Sequence, residues 1–525
     1  MPVNNSRRAA FIPFYFALAL LMGVFIGTRL GNHPQGGNYP YGQKNKLSRI
    51  LQIIQNDYVD EVNLDSLTEL AIEALLAELD PHSTYIPLVD LARVNEDMEG
   101  NFDGVGIEFN IQEDTIMVLN VISGGPAEKA GVMPGDRIIL IDGEMVAGVN
   151  IGNEGTSKRL RGKRGTKAKV GIRRFGVAET LELEITRGII PLYSLDAAFM
   201  LDDQTGYIKI SRFSANTHDE YKQAMEKLLG SGMKKFILDL RENPGGYLDQ
   251  AISLADEFLK SEELIVFTEG RNRKKQTYKA TGAGEWENGP LAILIDENSA
   301  SASEIVAGAI QDQDRGIVVG RRSFGKGLVQ EQMELADGSG IRLTVARYYT
   351  PSGRCIQRSY KNGTSAYYHD AMERNPEADT TESDTLTYFT KNKRMVFGGG
   401  GIRPDITVPT KSESYSEPFF TWFQAGEANR FSFLFSDEQR KQIKSTHAGY
   451  RTFADSRLAD EQIQKALSVY LKRSQSAETF SDGRSMGLIK ALVARNIWGN
   501  EAYYYQLAKS DPDIEAAKKN LNSAN

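Results

Sequence analysis

The residues best suited to covalent chemistry fall in one stretch, Asn298 to Gln330, which reads NSASASEIVAGAIQDQDRGIVVGRRSFGKGLVQ. It holds three closely spaced serines, Ser299, Ser301 and Ser303, and a lysine, Lys326, with a glycine on each side. A serine hydroxyl attacks an amide at neutral pH only when a base takes its proton. Lysine can be that base only when neutral, and its unperturbed pKa is about 10.4. Bringing it near 7 takes roughly three units, or about 4 kcal/mol against the charged form, which burial can supply. Gly325 and Gly327 permit backbone to pack closely around the ammonium. Histidine is the commoner base. The five in this chain are His33, His82, His218, His369 and His447, and none lies in the stretch, although folding can bring a distant one in.

The elements around these residues suit the task. Leu291 to Ile295 (LAILI) has the length and composition of a buried strand. A turn of small residues follows, then Glu304 and the helical spacing of Ile305, Val306, Ala309 and Ile310. Such a strand–turn–helix lifts a side chain to a helix N-terminus, where unpaired N–H groups stabilise developing negative charge. Two other readings remain open at this point. Serines before a helix commonly cap it. Gly320 to Lys326 also matches most of a phosphate-binding loop, but Gly327 stands where magnesium needs Ser or Thr, and a strand pattern follows instead of a helix.

The order SASASE, AGA-x-QD and FGKG-x-VQ closely resembles the active-site region of the tail-specific, or carboxyl-terminal processing, serine peptidases. The resemblance puts the nucleophile on Ser301, the general base on Lys326 and a supporting polar residue on Gln330. Gln330 could orient the lysine without a negative charge that would raise its pKa. LDLRENPGG at 238–246 is similar to a further block of the family. By that similarity Gly245 or Gly246 supplies one oxyanion donor and the backbone of Ala302 the other. The implied reaction is endoproteolysis through an acyl-enzyme, without metal or cofactor. Asp312 is expected to make a structural pair.

Residues 98–187 shift to short strands and glycine turns. SGGPAEKAG and PGDRIILIDG, in register after GVGIEF, resemble a PDZ domain. In that resemblance the N–H groups of Val105, Gly106 and Ile107 converge on a peptide's terminal carboxylate while the peptide adds as a strand. The basic run Leu160 to Gly165 reads as a solvated loop. The implied partners are proteins or peptides with free C-termini. The implied fold class is α/β and multidomain: a crotonase-like spiral α/β peptidase core with an inserted, mostly β PDZ domain and helical N- and C-terminal regions.

Boundaries follow from changes in pattern: a helical region at 45–97, the PDZ domain at 98–187, the peptidase core at 188–410 and a helical region at 411–525. The first helical region, by family analogy, supports a homodimer. Arg7 and Arg8 precede an uncharged run, Ala9 to Thr28, long enough to span a bilayer. The expectation is therefore a cytoplasmic segment 1–8, one transmembrane anchor 9–28, a tether 29–44, and catalysis on the outer side of the inner membrane. No clear small-x-small site ends the run, which favours an anchor over a cleaved signal.

Composition sets the outer limits. With 525 residues, 25% charged and a net charge of −7, no strongly basic domain emerges, which argues against nucleic acid as the main partner. One cysteine, Cys355, excludes an intrachain disulfide and a multi-cysteine metal site. The competing function is a membrane-tethered PDZ scaffold with an inactive peptidase core. A nucleotide-binding enzyme is the third possibility.

Overall fold

The computed structural model describes residues 46–122, 124–372, 386–409, 415–473, 480 and 482–523. The chain divides into a first unit ending at Ala74 and a second from Leu75 onward. In the first, the helix Lys46–Asp57 has no buried residue, and Leu47, Ile50 and Ile53 share its apolar spacing in exposed positions.

In the second unit, strands Ile107–Gln112, Thr115–Val121, Arg137–Ile141, Lys167–Arg173 and Leu181–Thr186 form one antiparallel sheet in that order. Alternation explains the sheet: Ile116 and Val118, Ile138 and Ile141, and Ala168, Val170 and Ile172 turn into one core. The module is an insertion. Its entry strand Asn101–Gly104 pairs antiparallel with its exit strand Gly188–Pro191, so both ends of the insert leave the core together.

The core holds a six-stranded sheet in the order Leu195–Met200, Thr205–Ile210, Lys235–Asp239, Leu291–Ile295, Ile317–Gly320, Ile406–Thr407. The first pair is antiparallel and the rest are parallel. Parallel strands are covered on both faces, which is why FIL at 236–238 and LAILI read as unbroken apolar runs. Helices Thr217–Gly230, Leu248–Asp256 and Ala302–Asp312 cover one face. On the other, Phe199, Tyr207, Ile237, Ala292, Leu294 and Val319 meet Ala508, Ile514, Ala517 and Leu521 from helices Asn500–Ala508 and Pro512–Ser523. A second sheet pairs Gly340–Tyr349 with Thr84–Ile86, Leu264–Glu269 and Leu328–Glu334. The candidate site lies where these sheets meet: Ser301 leaves the first, and Lys326 enters the second.

The region 415–523 is largely helical where it is described. Ile463, Leu467 and Leu471 are buried in Arg457–Arg473, and Leu488, Leu492 and Ile497 in Gly483–Trp498. Asp312 is fully buried against Arg354 at 2.7 Å.

One part of the expected fold class is corrected. No helix among the described residues is long and apolar enough to cross a membrane. The longest, Glu427–Thr446, carries Arg430, Asp437, Glu438, Arg440, Lys441 and Lys444, so only one of its faces can be apolar. The transmembrane element and the inner-membrane location are therefore not retained; the run 9–28 lies outside the described residues, as do 1–8 and the tether 29–44.

Candidate active site

Ser301 begins the helix Ala302–Asp312 from φ 55° and ψ −110°, a conformation that side-chain-bearing residues rarely adopt. Such strain costs about 1–3 kcal/mol and persists only where the surroundings enforce it. Gly245 packs directly against this turn. A Cβ at Gly245 would lie 2.7 Å from both Ala300 O and Ser301 Cβ. The Ser301 hydroxyl makes no capping hydrogen bond. Its neighbours carry the structural bonds instead. Ser299 Oγ donates to Leu240 O at 2.8 Å, and Ser303 Oγ donates to Asn243 O at 3.0 Å.

Glu304 ties this turn to the lysine loop. Its Oε2 accepts the N–H groups of Ser301 at 2.8 Å and Lys326 at 2.9 Å. Oε1 accepts Gly325 N–H at 2.7 Å and Ser323 Oγ at 2.5 Å. Complete burial pushes its carboxyl up to about 7, while these four bonds pull the other way. Tyr348 lies across the same junction, its hydroxyl 2.7 Å from Lys326 O and 3.1 Å from Ser301 O.

Lys326 Nζ donates to Gln330 Oε1 at 2.8 Å. The amide's other end, Nε2, donates to His82 O at 2.5 Å. Burial, helped by Arg342, lowers the Lys326 ammonium to about 8, and Glu304 and Asp80 oppose the shift. No hydrogen bond joins Nζ to Ser301 Oγ in this state. The loop rules out a phosphate cradle, because Gly327 leads into the strand Leu328–Glu334 and not into a helix.

The N–H groups expected as oxyanion donors divide unequally. Gly245 N–H is engaged, donating to Asn243 Oδ1 at 2.9 Å. The N–H groups of Gly246 and Ala302 have no acceptor among the described residues. Gly246 sits at φ 151°, and a Cβ there would lie 2.0 Å from Phe213 O. Arg241, at the start of this turn, pairs with Asp239 at 2.6 Å and with Asp511 and Asp513, each at 2.8 Å.

Val105, Gly106 and Ile107 are held apart from this centre in the inserted module. Val105 O accepts Ala127 N–H at 2.8 Å and Gly106 O accepts Ile122 N–H at 3.0 Å. The N–H groups of Val105 and Gly106 donate to no described acceptor. Ile107 opens an edge strand, so one side of Ile107–Gln112 is unpaired within its sheet.

Sequence reasoning missed four neighbours: Glu304 as the bridge, Tyr348, Arg342 and His82. The segment Asp80-Pro81-His82 brings a histidine into the site. Burial, then Lys326, with a smaller push from Arg358, lowers the His82 ring to about 4 against the pull of Asp80, so the ring is neutral at physiological pH. Its Nε2 lies 2.9 Å from Tyr367 OH and not on Ser301. A polar Asp-Pro-His turn between an amphipathic helix and a strand was the one available signal.

Comparison with known proteins gives two family matches: Peptidase family S41 over residues 204–364 and PDZ domain over 104–185. A carboxy-terminal-processing protease of Bartonella bacilliformis is 38% identical over 322 residues, 60% of this chain and 73% of the relative. A carboxyl-terminal-processing protease of Synechocystis is 35% identical over 369 residues, 65% of this chain and 84% of the relative. Among solved structures, a photosystem II D1 C-terminal processing protease is similar at 27% identity and a TM-score of 0.37, over 70% of this chain and 87% of that one.

Proposed function

Because the chain belongs to peptidase family S41, the carboxy-terminal-processing serine proteases, we propose that it cleaves flexible C-terminal tails through a Ser301 acyl-enzyme with Lys326 as general base. The observation that carries this reading is the buried Lys326, lowered to about 8 and paired to a neutral amide rather than a carboxylate. A neutral amine there can take the Ser301 proton as Oγ attacks the scissile carbonyl, then return it to the leaving amine. The Nζ–Oγ hydrogen bond forms when substrate fills the site, since such contacts are often open in the free enzyme. Gly246 N–H and Ala302 N–H, both unengaged, are the oxyanion donors; Gly245 serves by leaving room for Ser301. The inserted PDZ domain takes the substrate terminus on the amides of Val105, Gly106 and Ile107. Exposed Leu47, Ile50 and Ile53 support pairing of two copies.

Wild type and Ser301→Ala, incubated with an unfolded peptide and read by mass spectrometry for new C-termini, test the reading. A serine-reactive phosphonate should label Ser301 in the wild type. Equal cleavage by both proteins removes Ser301 as the nucleophile. Absence of both cleavage and label in the wild type would instead support the inactive scaffold.

A further inference from the structure

Asp80 is buried and holds a tight turn. Its Oδ1 accepts the N–H groups of His82 and Ser83, each at 2.9 Å, and Oδ2 accepts Ser83 Oγ at 2.7 Å. The turn is anchored to the second sheet twice: Thr344 N–H donates to Ser83 Oγ at 3.2 Å, and Thr84–Ile86 pairs with Gly340–Arg342. Held in this way, His82 C=O points at Gln330 Nε2. A carboxamide has an oxygen end and a nitrogen end of nearly equal shape, so something must decide which end meets the lysine. A carbonyl can accept only from the nitrogen end. His82 O therefore fixes Gln330 with Oε1 toward Lys326 Nζ.

We propose that the Asp80–Ser83 turn is the positioning arm of the catalytic lysine, selecting the Gln330 amide orientation that presents an acceptor to Nζ. Asp80 touches no reacting atom and acts through Gln330. With the amide reversed, NH2 would face the ammonium, and Nζ would lose its one hydrogen bond among the described residues. The charged groups facing Lys326 come from three elements: Glu304 on the nucleophile helix, Arg342 on Gly340–Tyr349, and Asp80 in this turn, with the neutral His82 ring beside them. Asp80 thus adds a negative charge that favours the ammonium as well as a geometric constraint, and the two can be separated. The inference rests on Lys326 being the base.

The test is a double-mutant cycle on peptide cleavage with full pH profiles. Asp80→Ala should lower kcat/KM about tenfold, and so should Gln330→Ala. The double variant should be no worse than the poorer single one, because residues acting through one another do not add. Asp80→Asn keeps an Oδ1 acceptor for both turn amides, so its rate above the ionisation should stay within about threefold of wild type. Both Asp80 variants should move the acid limb to lower pH, because a carboxylate that favoured the ammonium is gone. If Asp80→Ala does not fold, Asp80→Ser, which can hold the turn weakly through its hydroxyl, takes its place in the cycle. Multiplicative losses with an unmoved acid limb overturn the proposal and leave the lysine in place. An active Lys326→Arg, or a wild type with no ionisation in this range, would overturn the lysine reading beneath it.

Discussion

The backbone amides of Ser301 and Lys326 converge on a single carboxylate oxygen, Oε2 of Glu304, at 2.8 and 2.9 Å. The proposed nucleophile and base are therefore set in relation to each other by an acid that has no part in the proposed chemistry. Its folded pKa, about 7, lies above the ordinary 4.5 because burial disfavours the charge. A raised carboxyl contributes stability below its unfolded pKa and loses it as pH rises through the folded one. Glu304→Gln has no such ionisation. The stability advantage of wild type over Glu304→Gln should shrink between about pH 4.5 and 7, on the order of 3 kcal/mol. Denaturant melts of both proteins across that range check it; parallel curves would mean that Glu304 ionises as freely folded as unfolded.

Ser301→Ala should abolish cleavage and leave the melting temperature nearly unchanged, since Ala keeps the strained backbone and the hydroxyl caps nothing. Ser301→Gly should be equally inactive but more stable, by about 1 kcal/mol, because glycine adopts positive φ without a Cβ penalty. Turnover by Ser301→Ala alongside an inactive Ser299→Ala or Ser303→Ala would move the nucleophile.

For Lys326 the sign is fixed by the active form being the neutral amine. kcat/KM should rise with pH through an ionisation near 8, well below free lysine. Lys326→Arg should lose at least about a thousandfold, because guanidinium stays charged. Any substantial activity in that variant removes the lysine as base.

His82→Ala keeps the backbone carbonyl that receives Gln330 and removes only the ring bonded to Tyr367. It should cost about 1–2 kcal/mol of stability and leave the ionisation near 8 in place. Complete loss of cleavage in a folded His82→Ala would point to a histidine base.

The loop proposed to bind substrate tails makes the fifth case. Gly106 has φ 81°, and a Cβ there would come 3.0 Å from Ile190 Cδ1. Gly106→Val should raise KM about tenfold for a peptide with a free C-terminal carboxylate and leave kcat nearly unchanged. Amidating the peptide should raise KM on wild type by a similar factor and have little further effect on the variant. Equal cleavage of acid and amide by wild type would mean that tails are not chosen by their carboxylate.

What could be read before folding was whatever lies contiguous in the chain. LAILI, SASASE and FGKG each announce a strand, a turn or a loop within ten residues, and their local geometry follows from composition. Gln330 was legible because it sits four residues from Lys326 along the chain. Its other partner was not: His82 reaches it only because Thr84–Ile86 joins the sheet beside Gly340–Arg342. Glu304 looked like an ordinary first-turn acid, and nothing local shows four donors arriving from other segments. The two glycines of NPGG are alike in sequence. The fold separates them: the Asn243 side chain takes the Gly245 amide, and Gly246 lies against Phe213. The membrane span was argued from one apolar run outside the described residues, and no described helix repeats that character.

The helix Pro512–Ser523 has a consequence for the order of synthesis. A ribosome that has passed residue 410 has already made Ser301, Lys326, Gln330 and the amides proposed as oxyanion donors. The parallel sheet then still lacks Ile514, Ala517 and Leu521, which cover Ile237, Ala292, Leu294 and Val319. Arg241 likewise has Asp239 beside it but not yet Asp511 and Asp513, its two other carboxylate partners. One face of the sheet that leads to Ser301 is therefore closed only by residues made long after it.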